Sequence, residues 1–97
     1  MKKEKFLELS KAIAEKVKYS SNPNDALETP EYKQLRTTGI VVVGWALEEM
    51  KKNPEWFYFS LIDDVTGEGP QIPLESQGKL YEIIDIFQEW GKRKHFI

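Results

Sequence analysis

A chain of 97 residues, 40% hydrophobic and 31% charged with a formal charge of −2, is sized for one soluble globular domain. Surface scaling has such a chain bury about 65% of the area its unfolded form exposes, enough for one core without covalent staples. The absence of cysteine excludes disulfide scaffolds, thiolate metal centres and thiol nucleophiles, and a single histidine, His95, leaves little material for His-based metal cages or Ser/His/Asp catalysis.

Residues 4 to 19 are expected to form the first helix. Phe6, Leu9, Ile13 and Val17 recur at spacings of three and four, with lysines and glutamates between them. Six lysines against three glutamates give residues 1 to 19 a local +3, leaving −5 for the remainder. The narrow apolar stripe and the glutamates favour a core-facing helix over a membrane-surface one. Glu8, Ser10, Lys11 and Glu15 interrupt any signal-peptide core, so a cytoplasmic protein is expected. Ser20 to Asp25 is a cluster of turn formers that ends this helix.

Thr29-Pro30-Glu31 combines a capping residue, a proline suited to the first helical position and an acid in the first turn. From Pro30 the apolar positions keep helical spacing, and a single helix of about 34 Å to Lys52 is predicted. The β-branched run from Thr37 to Val43 and the two glycines Gly39 and Gly44 weaken it, leaving a break at Gly39 or a short buried strand as competitors. Ala46 to Lys52 favour helix. If helical, the segment is apolar nearly all round, as the central element of a bundle would be, with Gly39 and Gly44 allowing close packing.

Asn53-Pro54-Glu55 repeats the start signal and Thr66-Gly67 supplies a stop, bounding a helix over 54–66. Its aromatic run from Trp56 to Phe59 would also suit a buried strand, and Asp63-Asp64 sit at the end where the helix dipole is negative. A rigid loop carrying Pro70 and Pro73 follows. Near Ser76, read as its cap, the last helix starts, predicted over 77–91, with Leu80, Ile83, Ile84, Phe87 and Trp90 as its apolar stripe and Gly91 as its end. The fold class expected is therefore all-α: one helical domain over 1–97, a compact bundle of about four helices around a central apolar helix. No apolar run approaches the length of a membrane span.

Chemistry is thinly provided, and no catalytic residue, metal site or cofactor is assigned. Asp63, Asp64 and Glu68 form the one acidic cluster near a turn, and their spacing fails the calcium-loop pattern. Gly67 to Pro70 lacks the glycine pattern and lysine of a phosphate loop. His95 has no paired acid or nucleophile and reads as a solvated tail residue. The aromatic content is more informative. A small bundle is able to core Trp45 and Trp56, yet residues 56 to 62 carry apolar groups on more sides than a short helix buries. Trp56, Tyr58, Pro70, Pro73 and Trp90 are the expected partner-binding residues, an aromatic and proline platform for a protein partner or a second copy of the chain.

Trp56-Phe57, Leu61, Val65-Thr66-Gly67, Pro70, Pro73, Gly78 and Trp90-Gly91 together resemble a pattern of small bacterial proteins of uncharacterised function. Their hallmark is an aromatic helix ending in Ile/Val-Thr-Gly, a loop with two spaced prolines, a glycine and a helix ending in Trp-x-x-Trp-Gly. Phe87 replaces the first of those last tryptophans, and Ile83 or Ile84 stands where the pattern has methionine. The resemblance spans about 36 residues and implies a helical bacterial cytosolic protein, with no catalytic residue or cofactor to carry over.

The functional expectation is a protein-interaction or adaptor module. The alternative is a nucleic-acid or anionic-surface contact through Lys2, Lys3, Lys5, Lys92, Arg93 and Lys94, against which the acidic body of the chain argues. A third reading is a carboxylate-metal enzyme using Asp63, Asp64 and Glu68.

Overall fold

In the computed structural model, which describes residues 1–97 apart from the side chain of Pro23, the chain folds into five α-helices and no strand. They are α1 (Lys3–Lys16), α2 (Pro30–Thr38), α3 (Val41–Lys52), α4 (Phe57–Thr66) and α5 (Leu80–Arg93), with short 3₁₀ segments at Pro23–Glu28 and Leu74–Ser76. None of the described helices is long and apolar enough to cross a membrane.

α1 buries Phe6, Leu9 and Ile13, as the spacing dictates, and its backbone closes at Val17, whose N–H donates to the Ile13 carbonyl. It therefore stops short of Tyr19, which is almost fully exposed, with only the Lys18 ammonium over its ring at 5.7 Å. In the connection that follows, the Asn22 side chain accepts from the Asn24 N–H, a local bond that competes with helix propagation. α2 begins as predicted: Thr29 Oγ1 accepts from the Tyr32 N–H at 3.1 Å and donates to the Ala26 carbonyl at 2.8 Å.

The single helix predicted over 30–52 is two helices. The Thr38 hydroxyl bonds back to the Gln34 carbonyl at 2.8 Å, and Gly39 then adopts φ 96°, ψ −158°, a region open in practice only to glycine. Size supplies the physical reason. A straight helix of about 34 Å exceeds every dimension of a molecule measuring 30 × 30 × 23 Å, so it would carry one end out of the core. The break lets Tyr32 and Leu35 of α2 and Val42, Val43, Ala46, Leu47 and Met50 of α3 enter one core. α3 touches every other helix, as expected of the central apolar element.

α4 starts at Phe57 rather than Pro54, because Asn53 closes α3: its N–H donates to the Glu49 carbonyl at 2.8 Å and its amide donates to Glu49 Oε1 at 2.6 Å. Residues 53 to 56 are spent as the turn. α4 ends as predicted at Gly67, in the left-handed region with φ 71°. The awkward Asp64 at this end is held by Tyr32, whose hydroxyl donates to Oδ2 at 2.6 Å and ties α2 to α4. Burial first, and that bond second, hold the Tyr32 phenol well above its ordinary pKa.

α5 starts at Leu80, three residues after the predicted 77, and runs past Gly91. Ser76 is not its cap, since its buried hydroxyl reaches Glu82 instead at 3.2 Å. Gly91 lies within the helix because α5 presses on α3 there: a Cβ would sit 2.6 Å from Leu47 Cδ1. Gln88 fixes the same contact by donating to the Leu47 carbonyl at 2.7 Å. The helix closes in a Schellman motif, with His95 in the left-handed conformation at φ 65°. The Phe96 N–H donates to the Gly91 carbonyl at 2.8 Å and the His95 N–H to the Lys92 carbonyl at 3.2 Å. Phe96 folds back on Trp90, their ring centroids 5.4 Å apart, and its carbonyl approaches Gly44 of α3.

Candidate functional site

The five residues expected to bind a partner do not form one platform. Tyr58 and Trp90 are buried in the core, at 2% and 3% exposure. The first turn of α4 points Tyr58 inward against Phe6 and Phe57, and Trp90 is covered by Phe87 and by the returning Phe96. Tyr58 and Trp90 are therefore corrected from contact residues to core residues. Trp56, Pro70 and Pro73 remain accessible, on two separate depressions.

Trp56 lies in the turn before α4 and is 46% exposed. Its indole meets Phe59 edge-on at 5.7 Å, and both line a groove of about 610 Å³ closed on the far side by Val17, Ser20 and Asn24. The turn positions it: with Asn53 committed to α3, Trp56 falls one residue ahead of α4, outside the register that turns Phe57, Tyr58 and Leu61 inward. Pro70 and Pro73 instead flank the outer face of α5 beside Ile86, Glu89 and Arg93.

A hollow of about 410 Å³ between α1 and the α3–α4 turn is one that motif reading overlooks. Leu7, Lys11 and Ala14 of α1 edge it, while Ser10, Glu49, Asn53, Glu55 and Tyr58 supply polar groups. Ser10 Oγ is buried beside the Tyr58 hydroxyl, the group to which it is placed to donate. Glu49 is only 9% exposed, and its side chain is held by the Asn53 amide. Burial raises the pKa of the half-buried Glu55 carboxyl. Burial also pushes the Tyr58 phenol up to about 12, opposed by the nearby Ser10 hydroxyl and reinforced by Glu49 and Glu55. The signal was present in the sequence: Ser10 shares the buried stripe of Phe6, Leu9 and Ile13, and Glu49 sits among the buried residues of α3.

The acidic cluster is dispersed by other bonds. Asp64 serves Tyr32, Glu68 pairs with Lys94 at 3.2 Å, and no group of three His, Asp or Glu side chains placed to hold a metal occurs among the described residues. The chain ends meet on α3, where Lys3 pairs with Glu48 at 2.6 Å and the same Glu48 borders the depression that holds His95, Phe96 and Ile97. Lys5 and Lys92 lie 3.9 Å from Glu8 and Glu89. Comparison with protein-family models, curated proteins and solved structures finds no match to this chain.

Proposed function

We propose that the chain is a protein-interaction module whose contact surface is the groove at Trp56, taking an apolar side chain of a protein partner. The half-exposed indole carries this reading. A tryptophan anchored by an aromatic neighbour and beside a hollow has the arrangement of an interface hot spot, where a few large aromatic residues dominate affinity. The resemblance to small bacterial proteins adds a bacterial, cytoplasmic setting. The pairing of Lys3, Lys5, Lys92 and Lys94 with glutamates disfavours the alternative of an anionic surface contact, since the cations needed for phosphate are partly neutralised.

A photo-crosslinking amino acid at Ser60, on the groove wall, tests the reading in the native host. A discrete adduct is expected, competed away by unlabelled protein but not by Trp56→Ala. No adduct, or equal competition by both proteins, overturns it. An adduct of twice the chain mass identifies a second copy as the occupant.

A further inference from the structure

The structure separates Pro70 and Pro73 from Trp56, and no residue lining the Trp56 groove also lines the depression at the two prolines. In Pro70-Gln71-Ile72-Pro73 the prolines stand three positions apart, the repeat of a polyproline II helix, so their rings fall on one side of the segment. Pro73 holds φ −57°, ψ 149°, close to that conformation. Ile72 packs against the core while Gln71 and Pro73 are exposed, which leaves the proline side open. Arg93 borders the same depression, is exposed, and forms no ion pair among the described residues.

The Trp56 groove has the complementary make-up. Polyproline II segments dock on aromatic-lined grooves because their conformation is set before binding and their carbonyls, free of internal bonds, accept from donors on the groove wall. Trp56 stands half exposed with Phe59 edge-on beside it, and Asn24 and Ser60 on the walls carry amide and hydroxyl donors. Glu55 lines the same groove and forms no ion pair among the described residues. An unpaired carboxylate in the groove and an unpaired guanidinium beside the prolines give the two surfaces opposite charges.

We propose that the occupant of the Trp56 groove is the Pro70–Pro73 segment of a second copy of this chain, with Arg93 of that copy directed at Glu55. This rests on the reading of the groove as a protein-contact surface and names the partner. The contact joins unlike surfaces, so every copy offers one groove and one segment. A contact of one short segment is small, and association in the range of weak interfaces is expected.

Sedimentation equilibrium of the intact protein between about 10 µM and 1 mM tests the proposal. The parent is expected to associate with Kd of about 0.1 mM. Trp56→Ala, which keeps the segment, and the double variant Pro70→Ala/Pro73→Ala, which keeps the groove, are each expected to stay single chains, both first matched to the parent by circular dichroism. Mixed in equal amounts, the two variants are expected to pair, because one supplies the segment and the other the groove. Arg93→Glu is expected to weaken association about fivefold or more. A parent that stays a single chain up to about 1 mM, variants that associate as the parent does, a mixture that fails to pair, or association undiminished by Arg93→Glu overturns the proposal. A Ser60 adduct to a different protein, with a parent that stays a single chain, upholds the Trp56 reading and overturns this one, so the two failures are distinguishable.

Discussion

His95 occupies the position after α5 where a left-handed residue closes the helix, at φ 65°. A side chain there costs conformational energy that glycine avoids. His95→Gly is therefore expected to stabilise the protein by about 0.5–1 kcal/mol, read by urea denaturation at neutral pH. A loss of stability would show that the imidazole makes a contact worth more than the strain. The sequence identified the neighbouring glycine, Gly91, as the helix end, because glycine after an apolar stripe is the usual stop. That inference fails where glycine serves packing instead, and the 2.6 Å approach of Leu47 to the Gly91 Cβ position is such a case. Composition alone does not distinguish the two uses. Trp56 and Tyr58 show the same limit: two aromatic residues apart by two positions differ in exposure because a turn ends between them.

Among the elements, the break between α2 and α3 rests on Gly39. A Cβ there would meet nothing within 4 Å, so backbone conformation and not crowding demands glycine. Gly39→Ala is expected to cost about 1–3 kcal/mol in urea denaturation, with near-native helical content by circular dichroism. A cost near zero would mean that the chain relaxes into the continuous helix the periodicity suggests. The start of α2 was legible because Thr29, Pro30 and Glu31 act within one turn of their own backbone. The start of α4 was not, since Asn53-Pro54-Glu55 carries the same local signal but Asn53 is drawn to Glu49 of the preceding helix. A capping residue between two helices serves one of them, and the choice lies in tertiary geometry.

For the whole molecule, acidity acts on Glu31, Glu48 and Glu55 in opposite directions. Hydrogen bonds from Lys16 and Lys3 hold Glu31 and Glu48 below the ordinary carboxylate range, so their contribution is present above the unfolded pKa and is lost as the pH falls through the folded one. Both pairs are exposed, and salt screens them. Glu55 behaves oppositely: its folded pKa is raised by burial, so its ionised form opposes folding and the native state gains relative stability as the carboxyl protonates. Glu55→Gln is expected to be at least as stable as the parent at neutral pH, with the parent gaining on it as the pH falls towards about 4. Urea midpoints of both proteins across that range check the sign, and a parent that loses ground on acidification would show Glu55 stabilised as the anion. The radius of gyration, 12.6 Å, is that of an ordinary folded chain of this length, about 12.5 Å by the usual scaling. Interior space is therefore finite, and this is why the aromatic surplus seen in the sequence ends with Trp56 half outside. By itself the sequence determined the helical class, the apolar stripes of α1 and α5 and the central place of the apolar segment that holds α3, because side-chain periodicity and caps act over one or two turns. Only the tertiary structure decided where the long helix breaks, which rings are buried and which carboxylates share a hollow, because these depend on how helices distant in sequence divide one small core.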